Sequence, residues 1–270
     1  MSALPLMIAR EGAVAVLTLN RPAARNALSP ELACRLADAI EEAADDPSIR
    51  AVILTGAGTQ AFCSGGDLGL SLPLLSGARA PADDWDRRFL ADAGVNDRLA
   101  SRGVEMNKPV IAAVNGACMA GGMEMLLGTD IRLAVPQARF ALPEAARGVI
   151  PFAGALARLP RQIPYALAME MLLTGAALDA EAALRAGLIG QIVEPGALMP
   201  TAMALAQRIA ANAPVAVQEI KRVVIAASGR PLAEGFALED TAKARVMATE
   251  DAREGPRAFM EKRPAVYRGK

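Results

Sequence analysis

Residues 109–135 run PVIAAVNGACMAGGMEMLLGTDIRLAV, and the changes of pattern inside this stretch decide the fold class. Residues 109–114 form a short, continuous apolar run of the kind a buried strand requires, and Asn115-Gly116 is a turn pair. Gly121-Gly122 then opens a segment in which four of the five residues from Met123 to Leu127 are apolar, as in a buried helix. Residues 131–135, apolar apart from Arg132, are strand-like again. Strand, turn, helix and strand in this order predict an α/β architecture.

The same alternation extends outward. Residues 13–19 and 51–55 read as buried strands. Between them Ser29-Pro30-Glu31 has the form of an N-cap followed by proline at the first helical position, and Leu32, Leu36 and Ile40 give the helix one apolar face. Residues 81–106 predict a loop followed by an amphipathic helix carrying Phe89, Leu90, Val95 and Leu99. Residues 139–142 make a short segment before Pro143-Glu144. Beyond about residue 160 long stretches rich in alanine and leucine, 197–211, 214–227 and 232–249, predict a helical C-terminal third. Pro195-Gly196 is the only, weak, boundary signal between a core over residues 1–195 and a helical region over 196–270.

Composition restricts the chemistry. At 270 residues the chain is long enough to bury a large single core. Lys plus Arg and Asp plus Glu both number 29, so no charge excess draws it to nucleic acid or an anionic membrane, and 3% aromatic residues leave little for stacking bases. The chain has no histidine, which excludes Ser-His-Asp and Cys-His nucleophile systems, histidine-ligated metals and histidine general bases. Acid–base work falls to carboxylates. Cys34, Cys63 and Cys118 are odd in number and widely spaced, which speaks against a disulfide framework or a zinc site and for a reducing, cytosolic compartment. The opening residues, MSALPLMIAREGAVAVLTLNRP, lack a basic stretch followed by an apolar one, and no run reaches ~18 apolar residues, so a soluble, unprocessed protein is expected.

Two segments carry candidate chemistry. Around Gly121 the backbone is open to close approach, and first-turn amides of a helix are unpaired donors. Glu124, three residues on, lies on the same helix face. A buried, unpaired carboxylate costs several kcal/mol or raises its pKa, so its presence there asks for a reason. The glycine-rich loop at residues 55–67, TGAGTQAFCSGGD, is neither a phosphate-binding loop with Gly-Lys-Ser/Thr nor a dinucleotide fingerprint, and taken alone it is an ordinary turn. Cys63 and Cys118 flank these segments and read as small buried hydrophobes, since nothing nearby would activate a thiolate. The methionines at 106, 119, 123, 125, 169 and 171 read as core filling before pocket lining.

In combination, Asn20-Arg21-Pro22 with Asn26-Ala27-Leu28, residues 61–68 (AFCSGGDL), Asn115-Gly116 through Glu124, Pro143-Glu144, and Phe259 to Arg263 with Pro264 resemble the ordered motifs of the crotonase (enoyl-CoA hydratase/isomerase) superfamily over nearly the whole chain. The resemblance implies a spiral of repeated ββα units over residues 1–195 and a helical region over 196–270 that supports homotrimers, often paired as hexamers. It implies an oxyanion hole from the amides of Gly66 and Gly121, and Glu124 and Glu144 as the two acid–base glutamates of a hydratase. Arg25, Ser64, Gly66, Asp67, Gly121 and Lys262 match positions that bind the CoA part of the substrate, and neither a metal nor a redox cofactor is needed. The implied activity is reversible hydration of a trans-2-enoyl-CoA, as in fatty-acid metabolism. Alternatives are another reaction of the family (isomerisation, thioester hydrolysis or a specialised dehydration) and a catalytically idle acyl-CoA-binding or RNA-binding scaffold. One departure bears on the reaction: Phe152 follows Pro151, where similar hydratases carry a glycine behind the water site.

Overall fold

The computed structural model describes residues 4–270. Residues 1–3, the first part of the start read above as carrying no leader, lie outside the described residues.

The chain opens with β1 (Leu6–Glu11) and β2 (Val14–Leu19), an antiparallel hairpin turned at Gly12, whose φ of +60° suits a residue without Cβ. α1 (Pro30–Asp45) follows, started as the sequence predicts: Ser29 is the N-cap, its Oγ accepting from the Leu32 amide at 3.2 Å, and Pro30 is the first helical residue. Next come β3 (Ala51–Gly56), β4 (Ala61–Cys63), the short helices α2 (Ser71–Leu75), α3 (Asp84–Ala91) and α4 (Val95–Leu99), then β5 (Val110–Val114), β6 (Ala117–Met119) and α5 (Gly121–Leu127). β7 (Ile131–Ala134) and β8 (Arg139–Ala141) lead to α6 (Ala155–Gln162), α7 (Tyr165–Thr174), β9 (Leu178–Asp179), α8 (Ala180–Arg185) and β10 (Gln191–Ile192). The chain ends in α9 (Leu198–Ala210), α10 (Pro214–Ala227), α11 (Leu232–Met247) and α12 (Asp251–Met260).

The strands form two sheets, one of six in the order β1-β2-β3-β5-β7-β10 and one of four in the order β4-β6-β8-β9. The pairs β3/β4, β5/β6 and β7/β8 each send their first strand to the large sheet and their second to the small one, so the chain winds as a spiral of ββα turns. The long strands β3 and β5 are buried at every residue, which explains why they read as continuous apolar runs: a parallel sheet covered on both faces has no solvent side to alternate with. α9 lies against β3 and β5 through the buried Leu198, Ala202 and Ala206. α10 and α11 pack on each other, and Lys221 ties α10 to the core by donating to the Lys108 carbonyl at 2.9 Å and the Asp130 carboxylate at 2.7 Å.

Two readings need correction. The helix expected within 81–106 is two helices, because the backbone leaves helical geometry at Asp92; its carboxylate accepts from the Gly94 amide at 3.1 Å, an Asx turn that ends α3. Leu90, beside Phe89 in α3, faces away from the core and is exposed, whereas Phe89, Val95 and Leu99 are buried. β1 is an edge strand with one buried residue, Leu6, and so has no alternation by which its sequence would disclose it.

Candidate active site

Two buried asparagines hold the loops of the site in place. The side chain of Asn26, fully buried, accepts from the Arg21 amide at 3.0 Å and donates to the carbonyls of Ala57 at 3.0 Å and Ala61 at 2.7 Å. Asn115 accepts from the Gly56 amide at 3.2 Å and donates to Gly58 at 2.8 Å and Ala61 at 3.1 Å. Backbone that would otherwise be buried without partners is thus satisfied by side chains from two distant segments. Gly56 is required by this packing, since a Cβ there would stand 2.6 Å from the carbonyl oxygens of Ala61 and Phe62.

This scaffold brings the two candidate amide segments together. A Cβ on Gly65, at φ +96°, would lie 2.6 Å from the Ala120 Cβ and 3.3 Å from the Gly121 nitrogen, and one on Gly121 would lie 3.7 Å from the Gly66 nitrogen. Gly66 and Gly121 both line the same cavity, and among the described residues neither amide donates to a protein acceptor. Gly121 is the first residue of α5, where helical geometry supplies no partner. Ala120 before it is held at φ 50°, ψ −121°, a strained conformation for a residue with Cβ, while its amide donates to the Ala141 carbonyl at 2.9 Å. Two free, converging N–H donors can stabilise negative charge on one oxygen.

The carboxylates of Glu124 and Glu144 enter that cavity from α5 and from the end of the segment after β8. Both residues are buried. Glu124 Oε1 accepts from the amides of Ala153 at 2.6 Å and Ala155 at 3.3 Å. Burial raises its pKa, while those amides, that of Phe152 and the charge of Arg158 pull it back down. Glu144 has a buried Oε2 with no hydrogen-bond partner. Burial first, and then the neighbouring charge of Glu124, lift its pKa to about 7, against the lowering effect of its own backbone amide and Arg147. Two carboxyls face one cavity with different environments, one anchored and one unpaired, and the second is positioned to hold a proton at neutral pH.

The cavity measures about 620 Å³. Arg25 and Ser64 lie on its wall and are joined through the backbone, the Ser64 amide donating to the Arg25 carbonyl at 3.1 Å. Asp67 and Lys262 are not on the wall. The Asp67 carboxylate is engaged elsewhere, pairing with Arg21 at 2.8 Å and accepting from the Gly69 and Leu70 amides, so it shapes the loop. Lys262 follows α12 near the exposed Phe259 and Met260. Phe152 lies on the wall and is half-exposed. Of the methionines, Met119 and Met125 reach the cavity, whereas Met106, Met123 and Met171 are core residues. Cys63 and Cys118 are fully buried, and burial pushes the Cys63 thiol up to about 12, which suits packing and not nucleophilic attack. The amides of Ala153 and Ala155, which orient Glu124, and Arg158 near it were not legible, because backbone donors leave no side-chain signal. No group of three potential metal-ligating side chains occurs among the described residues.

A sequence profile described as enoyl-CoA hydratase/isomerase matches residues 9–270. The chain is 40% identical to the enoyl-CoA hydratase EchA19 of Mycobacterium tuberculosis over 264 residues, covering 98% of this chain and 96% of that protein. It is 37% identical to carnitinyl-CoA dehydratase of Citrobacter koseri, with 98% of each chain covered. Among solved structures, an enoyl-CoA hydratase from Mycobacterium tuberculosis superposes with a TM-score of 0.88 at 35% identity, covering 99% of this chain and all of that one.

Proposed function

The chain belongs to the enoyl-CoA hydratase/isomerase family, the crotonase superfamily, and from that premise we propose that it reversibly adds water to a trans-2-enoyl-CoA, giving a 3-hydroxyacyl-CoA. The observation that carries this reading is one cavity holding two unpaired backbone donors, Gly66 and Gly121, and two buried carboxyls, Glu124 and Glu144. The thioester oxygen accepts from the two amides, which draw electron density from the conjugated double bond; each such donor is typically worth ~3–4 kcal/mol in the transition state. Glu124, anchored by the Ala153 and Ala155 amides, takes a proton from water as its oxygen adds to the β-carbon. Glu144, whose raised pKa leaves much of it protonated near neutrality, gives its proton to the α-carbon as the enolate collapses. Atoms balance as one added water, and the proton that Glu124 has gained returns to Glu144, directly or through water, before the next turnover. No step calls for a metal or redox cofactor.

Arg25 and Ser64 on the cavity wall would meet the CoA portion. Lys262, placed beside exposed apolar residues of the C-terminal helices, would reach CoA from a neighbouring copy in a trimer or hexamer. Three buried free thiols fit a cytoplasmic setting, and among the described residues no helix is long and apolar enough to cross a membrane. A second reading, double-bond isomerisation or specialised dehydration, is favoured by Phe152, whose side chain stands at the wall where similar hydratases have a glycine.

The test is incubation with crotonyl-CoA and longer enoyl-CoAs, following loss of the conjugated thioester absorbance and identifying products by mass. Product heavier by one water, formed on the order of 10²–10⁴ times more slowly by Glu124→Gln and by Glu144→Gln, is the expected result. Binding of CoA esters with no turnover of any of them would reject hydration and turn attention to Phe152.

A further inference from the structure

The wall contributed by α2–α4 is apolar through Leu72, Leu75, Phe89 and Leu99, with two polar exceptions, Ser71 and Asn96. Asn96 is half-buried on α4 between the buried Val95 and Leu99, and its amide makes no hydrogen bond to any described residue. The other polar side chains of the cavity, apart from Arg25, have local explanations. Ser71 donates to the Leu28 carbonyl at 2.7 Å, Ser64 approaches the Ala24 carbonyl at 3.5 Å, Arg147 donates to the Pro143 carbonyl at 3.0 Å, and the two glutamates are the proposed acid–base pair. An amide offers two donors and an acceptor; on this wall it is partly open to solvent, and an acyl group that fills the cavity would strip it of water, a cost that a polar partner on that acyl group offsets.

We infer that Asn96 is a specificity residue that recognises an uncharged oxygen, a hydroxyl or carbonyl, carried on the acyl group beyond an apolar segment that separates it from the thioester. This rests on the acyl-CoA reading of the site and narrows its substrate class. The group is uncharged because α4 offers it no free charge: Arg98 is paired with Asp92 and, at 3.3 Å, with Glu41, and Asp97 is paired with Arg102 at 3.0 Å. A carboxylate or ammonium at this wall would be desolvated among leucines and phenylalanine without a counter-ion.

Binding of unreactive, saturated thioesters separates this inference from the reaction itself. Calorimetry on the whole protein would compare hexanoyl-CoA with 6-hydroxyhexanoyl-CoA, and 3-phenylpropanoyl-CoA with 3-(4-hydroxyphenyl)propanoyl-CoA, on wild type, Asn96→Leu and Asn96→Gln. In at least one pair the hydroxylated ester is expected to bind about tenfold tighter to wild type. Asn96→Leu should remove or reverse that preference and Asn96→Gln should retain part of it. Equal binding within both pairs, or a preference that survives Asn96→Leu, overturns the inference. If none of these thioesters bind, the acyl-CoA premise fails and the inference with it, whereas a hydration reading that fails in the enoyl-CoA assay leaves the binding preference intact.

Discussion

Glu144 holds a buried carboxyl oxygen that no protein group pairs, beside the second carboxylate of Glu124. Its pKa near 7 makes the proposed proton donor available below neutrality and depletes it above, so hydration should decline as pH rises through about 7. On the acid side activity should fall as Glu124, itself raised above the ordinary carboxylate value, takes up a proton and ceases to be a base. A pH–rate profile of wild type would display both limbs. Glu144→Gln should lose on the order of 10²–10⁴ in rate, and the residual activity should lack the alkaline limb. The same group affects stability. Between its ordinary value of 4.5 and about 7 the folded chain binds a proton that the unfolded chain has released. Stability from this site is therefore complete below 4.5 and lost as pH rises through 7. Thermal melts should show Glu144→Gln unfolding on the order of 2–5 °C above wild type at pH 8, with the gap closing at pH 5. An unchanged gap at the two pH values would mean that Glu144 is not held in its protonated form by the fold.

At the scale of elements, the site depends on loops fastened by side chains from elsewhere in the chain. Asn26→Ala would strip the Arg21 amide and the Ala57 carbonyl of their partner, and leave the Ala61 carbonyl to Asn115 alone. Each buried group left unsatisfied costs about 1–3 kcal/mol, so urea unfolding should give a loss of about 2–4 kcal/mol, accompanied by weaker binding of CoA esters as the loop bearing Arg25 loosens. A loss under about 0.5 kcal/mol would contradict this account of the loop.

These elements also mark what the sequence could disclose. The runs at 13–19, 51–55, 109–114 and 131–135 correspond to β2, β3, β5 and β7; β3 and β5, buried at every residue, leave the plainest composition signal, whereas β7 carries the partly buried Arg132. α1 was legible from its cap, and α9, α10 and α11 from long helical composition. β4, β6 and β9 have two or three residues each, too few for any period. α6 hides behind an internal proline, Pro160, and the break at Asp92 divides what composition presents as one helix. In the site, Gly66, Gly121, Glu124, Glu144, Arg25 and Ser64 were named from motif order and lie on one cavity. Asp67 was named with them, yet its carboxylate turns towards Arg21 and two loop amides, a capping role that its spacing to Gly69 could have suggested.

At the scale of the molecule, the C-terminal helices expose a set of large apolar side chains, with Ile220, Val224, Phe236 and Phe259 each more than half accessible. We propose that this exposed hydrocarbon is the surface through which copies of the chain associate. Sedimentation at micromolar concentration should therefore find three or six chains together, and Val224→Glu combined with Phe236→Glu should shift the protein to smaller species. A wild-type monomer would contradict this, and with it the proposed reach of Lys262 to CoA from a neighbouring copy. The spiral, the paired amides and the two carboxyls are consistent with several reactions of the family, and they differ in the fate of water. The most direct test is turnover of an enoyl-CoA in ¹⁸O-labelled water. The account predicts a 3-hydroxyacyl-CoA bearing one labelled oxygen, formed by wild type and far more slowly by Glu124→Gln or Glu144→Gln. An unlabelled isomeric enoyl-CoA, or free CoA with a labelled acid, would contradict it.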